Sequence, residues 1–383
     1  EFAALSLAGR TWRSRLVAAR VSGRLLWQRL TGSRLLCRGG ALQARMLLAI
    51  RRAGVRVVGQ TAVAELVTEG DEVAGVIVEG PDGRLAIGAR RGVLINAGGF
   101  ARNREMRERY HPQPTSTSWT LANQGDTGEV IAEAMRIGAA TANMDEAWWL
   151  PVSLRDGRIA GFHSPQEMQK PFLILVDARG ERFVNESASY MEIGQAMYRR
   201  RAVPAWAIFE ARHRRYYPWG VVPPRVIPKS WVSSGYMKSA DTLEELAAQC
   251  GIDPGGLVRT VERFNEFARQ GHDPDFRRGA RAYDRVYADP RQGPNPTLGP
   301  IEQAPFYAVA IYPGDVGTAG GLVVDEHARV LRADGSPIRR LYACGNSTAS
   351  LFGRWYPGPG ASIGASFVFG YIAANHAASE ENV

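Results

Sequence analysis

Three glycine-rich segments at predicted strand ends constrain the fold of this chain more than any other feature. They occupy residues 97–100, 317–321 and 358–364, the last just before a predicted terminal helix. Glycine lets the backbone approach a ligand closely and take positive φ angles. Because a long stretch separates the first segment from the other two, we expect one domain to be interrupted by another, with its two ends meeting around a shared site.

The pattern of apolar and turn residues predicts a mixed α/β (α+β) fold. Residues 1–52 look helical and basic. Strands are expected at residues 55–58, 62–67, 73–79, 85–89, 92–96, 173–177, 306–312, 322–325 and 341–343. Helices are expected at residues 126–137, 241–251, 253–270 and 362–378, with Asp126 and Asp241 as N-terminal caps. We predict that residues 1–151 and 320–383 form one domain and that residues 152–319 form the inserted domain.

The charge of the chain is strongly uneven. The formal net charge is +9, eleven arginines lie between Arg10 and Arg52, and no acidic residue occurs between Glu1 and Glu65. Such a segment is typical of a solvated or cofactor-facing surface, or of a peripheral contact with a membrane or a partner. Nucleic-acid binding is disfavoured, because no zinc-finger, RNP or helix-turn-helix pattern accompanies the charge.

Cysteine usage and hydropathy narrow the class of protein further. The three cysteines, Cys37, Cys250 and Cys344, are far apart, which indicates neither a disulfide framework nor a metal site and predicts a reducing, cytoplasmic location. No run of about 18 apolar residues, the length of a membrane-spanning helix, occurs.

Tyr356 and the glycines that follow it form the sharpest chemical motif. A phenol and the backbone N–H of Gly360 at this spacing can both point at one acceptor oxygen. Two donors aimed at a ketone stabilise the negative charge that grows on its oxygen when a neighbouring C–H loses a proton. Tyr190 is a second phenol that can serve as the base, provided that its site tunes it for proton transfer. The N-terminus of the terminal helix, with its unpaired N–H groups, suits the electron-rich edge of a flavin ring.

These motifs resemble a known family. YACGNSTAS from Tyr342 and GRWYPGPGASIG from Gly353 resemble the C-terminal signature of the FAD-dependent 3-ketosteroid Δ1-dehydrogenases, within the fumarate reductase and succinate dehydrogenase flavoprotein superfamily. The resemblance covers nearly everything from about Val55 to the end. Further similar segments are residues 182–190, 263–268, 276–279, 282–285, 295–296, 305–309 and 317–322.

The resemblance implies a reaction and a set of site residues. Tyr356 and the N–H of Gly360 would hold the steroid C3 ketone, Tyr190 would remove a C2 proton, and a hydride would pass from C1 to flavin N5. The product would be a 1,2-desaturated 3-ketosteroid, and an unspecified electron acceptor would reoxidise the flavin. The positions that match the superfamily's FAD contacts are Val63, Ala97, Gly98, Asp126, Asn346, Ser362 and Ile363.

Two features depart from the family pattern. The chain contains no Gly-x-Gly-x-x-Gly motif, so the predicted FAD-binding Rossmann-like domain lacks its N-terminal βαβ unit. The family also has an upstream tyrosine that assists the base, whereas the first tyrosine here is Tyr110. We expect either a truncated fragment or a divergent protein that has lost the N-terminal dinucleotide-binding unit.

Several alternatives stay open at this stage. One is a 3-ketosteroid Δ4-dehydrogenase or another flavoenzyme of the superfamily. A fumarate reductase needs cationic groups for a dicarboxylate, and the sequence places only Arg354 near the site. Another is an inactive, truncated relative that has kept only a steroid-binding remnant.

The missing dinucleotide motif generates a first prediction. We expect residues 1–383 alone to retain little or no FAD, because much of the phosphate and adenosine site is not in this sequence. The ratio of flavin to protein absorbance after purification measures this. Stoichiometric FAD with normal turnover would contradict it.

Overall fold

The computed structural model describes residues 2–37 and 39–379. Its helices are α1 (Phe2–Leu5), α2 (Trp12–Thr31), α3 (Gly39–Arg52), α4 (Arg104–Tyr110), α5 (Glu129–Arg136), α6 (Pro165–Met168), α7 (Tyr190–Arg200), α8 (Ala211–Tyr216), α9 (Lys229–Ser233), α10 (Leu243–Cys250), α11 (Pro254–Gln270) and α12 (Ala361–Ser379). No helix within these residues combines the length and the apolar character needed to cross a bilayer.

Fourteen strands lie in the same described residues. They are β1 (Ala62–Glu69), β2 (Glu72–Gly80), β3 (Gly83–Gly88), β4 (Val93–Ile95), β5 (Thr141–Ala142), β6 (Ala147–Arg155), β7 (Arg158–Phe162), β8 (Leu173–Val176), β9 (Ala205–Glu210), β10 (Met237–Ala240), β11 (Phe306–Thr318), β12 (Gly321–Leu322), β13 (Arg329–Leu331) and β14 (Pro337–Ala343).

The first sheet combines residues from both ends of the chain. Its strand order is β1-β2-β14-β13, with β3 beside β2 and β4 beside β14. The hairpins β1–β2 and β2–β3 turn at Gly70 and Gly83, whose φ angles of 59° and 93° favour glycine. β14 runs parallel to β4 and β2, and α5 packs its apolar face on the sheet. The predicted α/β class is therefore confirmed.

The second sheet is antiparallel throughout, with the order β7-β6-β11-β9-β8 and β10 beside β11. Apolar clusters cover both of its faces. Leu173 and Leu175 of β8 belong to the cluster that includes α7 residues, whereas Ile174 and Val176 pack with α10 and α11. This alternation explains why β8 is apolar at every position.

Strand β11 joins the two parts of the molecule. Its first half pairs with β9 and β10, and its second half pairs with β6, from Tyr312 opposite Val152 to Thr318 opposite Ala147. The predicted domain border at 151/152 falls inside β6, and the whole of β6 lies in the second sheet. We therefore propose that the inserted domain begins at the first residue of β6 and ends with β11.

Several local predictions were wrong. Residues 55–58 form no strand, and Val55, Val57 and Val58 are exposed with no paired neighbour among the described residues. Helix α5 begins after Gly128 and has no side-chain cap, because the Asp126 carboxylate lies against the backbone of residues 98 and 99 instead.

Of the next two predicted helix starts, the cap of α10 was wrong by one residue and the cap of α11 is confirmed. The cap of α10 is Thr242 rather than Asp241, since the Thr242 hydroxyl accepts a hydrogen bond from the N–H of Glu245. Asp253 caps α11, which ends at Gly271 in the left-handed conformation, as the pattern predicts.

A buried network of four charged side chains fixes the segment that leads into α7. Arg182 contacts Glu186 at 2.8 Å and Asp273 at 3.0 Å, and Arg278 contacts Glu186 at 3.1 Å. Arg278 also donates to the carbonyl oxygens of three residues around β8. Two arginines and two carboxylates balance in charge, so that the desolvation cost of each ion is offset.

Asp273 makes the stability of this network depend on pH. Burial alone would raise the pKa of Asp273, but the hydrogen bond and charge of Arg182 outweigh burial, and the pKa lies below its ordinary 3.8. A depressed carboxylate pKa stabilises the fold above the unfolded value, and the contribution is lost as pH falls through the folded value. Asp273→Asn should therefore lower the free energy of unfolding by about 3–5 kcal/mol at pH 7, because it leaves Arg182 partly unpaired.

Urea unfolding at several pH values checks this. The difference between the wild type and Asp273→Asn should shrink below about pH 4, where the wild-type carboxylate takes up a proton. Asp156→Asn, at an exposed turn, is the matched control and should leave the free energy unchanged. A difference for Asp273→Asn that is constant with pH would contradict the assignment.

Candidate active site

Two tyrosines that are far apart in the sequence meet at one place. The hydroxyl groups of Tyr190 and Tyr356 are in hydrogen-bond contact, and their ring centroids are 4.4 Å apart with an angle of 51° between the planes. Tyr190 is the first residue of α7, and Tyr356 lies in the loop between β14 and α12. The structure thus brings together the two phenols that the sequence singled out.

Tyr190 is positioned by the beginning of its helix. Ser189 caps α7 by accepting a hydrogen bond from the N–H of Glu192 at 3.2 Å. Behind it, the buried network of Arg182 and Glu186 holds the preceding segment. A helix N-terminus favours negative charge in its vicinity, so this position is compatible with the role of base that the sequence predicts for Tyr190.

Tyr356 is half-buried and packs against Trp148, with ring centroids 6.3 Å apart. Burial raises the pKa of Tyr356 well above that of a free tyrosine. The side chain is therefore protonated at neutral pH and is suited to donate a hydrogen bond. Tyr356 thus fits the role of a donor to a ketone oxygen rather than that of a base.

Backbone N–H groups at the start of α12 face no acceptor. The amides of Gly360, Ser362 and Ile363 have no hydrogen-bond acceptor within the described part of the chain. Gly358 and Gly360 have φ angles of 140° and 97°, and open space surrounds the position of a Cβ at each. Conformation rather than crowding thus calls for glycine here, and the amides remain available to a polar group.

A small, partly open cavity adjoins this helix start. Asn346 lines it and accepts a hydrogen bond from Trp148 Nε1 at 3.2 Å. A Cβ at Gly317 would lie 2.6 Å from the Asn346 amide, so that glycine lets the side chain of Asn346 lie where it does. The predicted residues Asn346 and Ser362 share this cavity with Trp148, Thr318, Ala319, Ser350, Phe352 and Ala361.

The first glycine-rich segment packs against the protein itself. A Cβ at Gly98 would lie 2.3 Å from an Asp126 oxygen, and one at Gly99 would lie 1.9 Å from the Thr318 hydroxyl. The Ser347 hydroxyl accepts from the N–H of Ala97 at 3.0 Å and donates to the carbonyl of Gly98 at 2.8 Å. These contacts hold residues 97–99 next to Asn346, on the side of the site where the sequence placed the cofactor.

Three other positions lie apart from the tyrosine pair. Val63 pairs with Val78 in the β1–β2 hairpin and packs on the first core, and it does not line the cavity. The Asp126 carboxylate faces the N–H of Gly99, and burial, with a smaller effect of Asp315, raises its pKa. Tyr110 packs against Phe100 in the same core, so it cannot take the place of the missing assisting tyrosine.

Arg354 is already paired with carboxylates. Its guanidinium contacts both oxygens of Asp145 at 2.7 and 2.8 Å and Glu146 at 2.6 Å. An arginine held by two carboxylates is not available to bind a dicarboxylate substrate. The sequence did not reveal Asp145, Glu146 or Trp148 as neighbours of the site, because only the pairing of β6 with β11 brings them there.

The described residues fit the flavin end of FAD. Amide donors at a helix N-terminus and an asparagine in an adjoining cavity suit the polar edge of an isoalloxazine ring. Across the described ranges, no group of three or more His, Cys, Asp or Glu side chains is arranged to hold a metal ion.

Comparison with known proteins identifies a family and several relatives of this chain. The family described as "FAD binding domain" matches residues 7–363. A 3-oxosteroid 1-dehydrogenase of Mycobacterium tuberculosis is 40% identical over 99% of this chain and 70% of its own length. The crystal structure of 3-ketosteroid Δ1-dehydrogenase from Sterolibacterium denitrificans in complex with 1,4-androstadiene-3,17-dione has 38% identity and a TM-score of 0.91, covering 99% of this chain and 71% of that one.

A more distant likeness joins this chain to a second steroid enzyme. The 3-ketosteroid Δ4-(5α)-dehydrogenase of Rhodococcus jostii has 26% identity and a TM-score of 0.67, over 87% of this chain and 62% of that one. The identity and coverage are higher for the Δ1 enzymes of Mycobacterium tuberculosis and Sterolibacterium denitrificans. The chain therefore belongs to the FAD-binding-domain family and, within it, to the 3-oxosteroid 1-dehydrogenases.

Proposed function

We propose that this protein catalyses the FAD-dependent 1,2-desaturation of a 3-ketosteroid. The observation that carries the proposal is the contact between Tyr190 and Tyr356 beside the unpaired N–H of Gly360. One phenol and one amide can bind a ketone oxygen while the second phenol reaches the adjacent carbon. The family membership supports FAD as the cofactor.

Tyr356 and Gly360 are proposed to bind the C3 ketone. The phenol stays protonated because burial raises its pKa, so that it donates to the oxygen together with the Gly360 N–H. Both donors become more effective as the oxygen gains negative charge during loss of a C2 proton. This charge stabilisation is what makes an otherwise weakly acidic C–H available to a base.

Tyr190 is proposed to accept the C2 proton. Its position at the start of α7 favours the anionic form of a nearby group, and its hydroxyl already lies against that of Tyr356. The buried charges behind Ser189 limit the movement of this helix end. Proton transfer requires such fixed geometry more than it requires a strong base.

The cofactor site is proposed to use Asn346, Ser362 and Ile363 on one side and the backbone of Ala97 and Gly98 on the other. FAD, when bound, supplies the two-electron acceptor for the hydride that leaves C1. Asp126 and Val63 are proposed as more distant contacts, following the superfamily pattern.

Two alternatives receive less support. A Δ4 dehydrogenase shares the fold, but its similarity to this chain is lower than that of the Δ1 enzymes. A fumarate reductase needs a free cationic pair, whereas Arg354 is neutralised by Asp145 and Glu146. An inactive remnant would keep the fold without turnover, which the following experiment tests directly.

Tyr356→Phe tests the proposal. With FAD in excess, androst-4-ene-3,17-dione and an artificial electron acceptor, we expect kcat to fall by about 10²–10³, the cost of losing one donor to a developing oxyanion. Tyr190→Phe should abolish turnover more completely, because it removes the base. Dye reduction under anaerobic conditions measures both.

Tyr371→Phe is the matched control, since Tyr371 is 73% exposed on α12. It should retain wild-type turnover. Absence of steroid-dependent dye reduction in the wild type with FAD supplied would instead favour the inactive remnant. With the saturated substrate 5α-androstane-3,17-dione, a product with a 4,5 rather than a 1,2 double bond would favour the Δ4 alternative.

We further propose that α2 and α3 contact an anionic membrane surface, from which a sterol-like substrate is collected. α2 contains five arginines and α3 three, and neither helix contains an acidic residue. Large apolar side chains that alternate with these arginines along the two helices are also exposed: Trp12, Leu16, Leu25, Leu26, Trp27, Leu30, Leu47 and Leu48. The aliphatic part of an arginine side chain can lie along an apolar surface while its charged end reaches lipid phosphates.

The three widely spaced cysteines further support a reducing, cytoplasmic compartment for this protein.

Binding to vesicles tests the membrane contact. The protein should bind phosphatidylserine-containing vesicles more tightly than pure phosphatidylcholine, and salt should weaken the binding. Replacing Arg13, Arg15, Arg20 and Arg29 with Gln should release it, at about 1 kcal/mol per charge.

Replacing four exposed arginines of the inserted domain serves as the matched control, because the change in net charge is the same. These are Arg155, Arg158, Arg199 and Arg201, and their replacement should leave vesicle binding unchanged. Vesicle binding that persists without the α2 arginines, or a preference for nucleic acid over vesicles, would contradict the proposal.

A further inference from the structure

The loop that carries Tyr356 is held by apolar packing only in part, since Phe352 and Tyr356 pack on the cluster that includes Trp148 but other members of the loop do not. Leu351 and Trp355 are 56% and 76% exposed, and Gly353 and Gly358 have positive φ angles. Tyr190, by contrast, stands on a helix that is buried against the second sheet. The relative position of the two phenols therefore requires a link between this loop and α7.

Arg354, two residues before Tyr356, provides the first part of that link. Its guanidinium contacts Glu146 Oε1 at 2.6 Å. Glu146 immediately precedes β6 and is only 6% exposed. A buried carboxylate is costly unless it is paired, so this contact is held strongly.

Gln195 completes the link from the side of α7. Its amide nitrogen donates to Glu146 Oε2 at 3.2 Å and to the backbone carbonyl of Arg354 at 3.0 Å. Trp149 Nε1 donates to the same Glu146 oxygen at 2.9 Å. Arg354, through its guanidinium and its backbone carbonyl, therefore forms a closed ring of contacts with the side chains of Glu146 and Gln195, here called the clamp.

Close packing of α7 against β6 fixes the position of Gln195, the member of the clamp that lies on α7. A Cβ at Gly194 would lie 2.4 Å from the Cβ of Trp149, so that only glycine allows α7 to approach β6 this closely. Gln195 and Tyr190 lie on the same helix, five positions apart. A displacement of the loop relative to Gln195 is thus a displacement of Tyr356 relative to Tyr190.

We propose that the clamp is a positioning device that sets the distance between the Tyr356 and Tyr190 hydroxyls, with Arg354, Glu146 and Gln195 as its positioning residues. The inference rests on the proposed function of the two tyrosines. It assigns Arg354 the role of orienting the ketone donor rather than that of binding a substrate anion. The clamp touches neither the ketone nor the base.

Kinetics of Arg354→Gln test the clamp. We expect kcat to fall by about 10- to 100-fold with a smaller change in KM, because misplacement by about 1 Å costs up to 10² in rate. In a Tyr356→Phe background, the same substitution should change kcat by less than about twofold, since the donor that it positions is already gone. Arg354→Lys, which keeps one charged contact, should restore part of the rate.

Arg263→Gln is the matched control, because Arg263 pairs with Asp275 on the surface of the inserted domain. It should leave kcat unchanged. If Arg354→Gln does not fold, Gln195→Leu breaks the clamp from the other side and carries the same expectation. An equal loss of rate in the presence and absence of the Tyr356 hydroxyl would overturn the proposal.

Hydrogen exchange separates a failure of the clamp from a failure of the proposed function. The amides of Gly353 and Trp355 donate to Ser350 and Phe352, so the loop has protected N–H groups to follow. Exchange of a peptide covering residues 351–360 should accelerate about tenfold or more in Arg354→Gln and remain unchanged in Arg263→Gln. Faster exchange in a protein without steroid turnover supports the clamp alone, whereas normal turnover with unchanged exchange and kcat in Arg354→Gln overturns it.

Discussion

The pairing of β11 with β6 is the interaction on which the rest of the structure depends. β11 is 13 residues long, so that it can pair with β9 and β10 at one end and with β6 at the other. The beginning of β6 and the end of β11 thereby lie side by side, with Glu146 and Trp148 on one chain segment and Thr318 on the other. The cavity, the clamp and the glycine-rich segment at residues 317–321 all lie where the beginning of β6 meets the end of β11.

Buried charged groups fix two segments near this junction, the end of β11 and the segment before Tyr190. Asp315 of β11 accepts from Arg107 at 2.7 Å and from the N–H of Gly317 at 3.1 Å, so the loop that leaves β11 has a fixed path. The ion pair between Arg182 and Glu186 likewise fixes the path of the segment before Tyr190. Ion pairs of this kind add little net stability over apolar packing, but an unpaired member is costly, so they specify one arrangement of the chain.

The contrast between the two tyrosines follows from their surroundings. Tyr190 begins a helix that is anchored in the second core, whereas Tyr356 lies in a loop in which Leu351 and Trp355 are exposed. Apolar contact with Trp148 holds the Tyr356 ring, and hydrogen bonds from Arg354 and Gln195 to the buried Glu146 carboxylate further restrain the loop. The requirement for a protonated phenol is met separately, because burial against Trp148 raises the pKa of Tyr356.

Local patterns were sufficient to predict the elements and the chemical groups of this protein, since they depend on neighbours a few residues away. The strands on either side of Gly70 and Gly83, the strand β8 and the Tyr356 motif were all predicted in this way. Only the tertiary structure decided which distant groups meet: that Asp126 faces the N–H of Gly99 instead of capping α5, that residues 55–58 find no partner strand, and that Arg354 is bound by Glu146. Each of these outcomes depends on strand pairing and burial between segments far apart in the chain, for which the sequence holds no local signal.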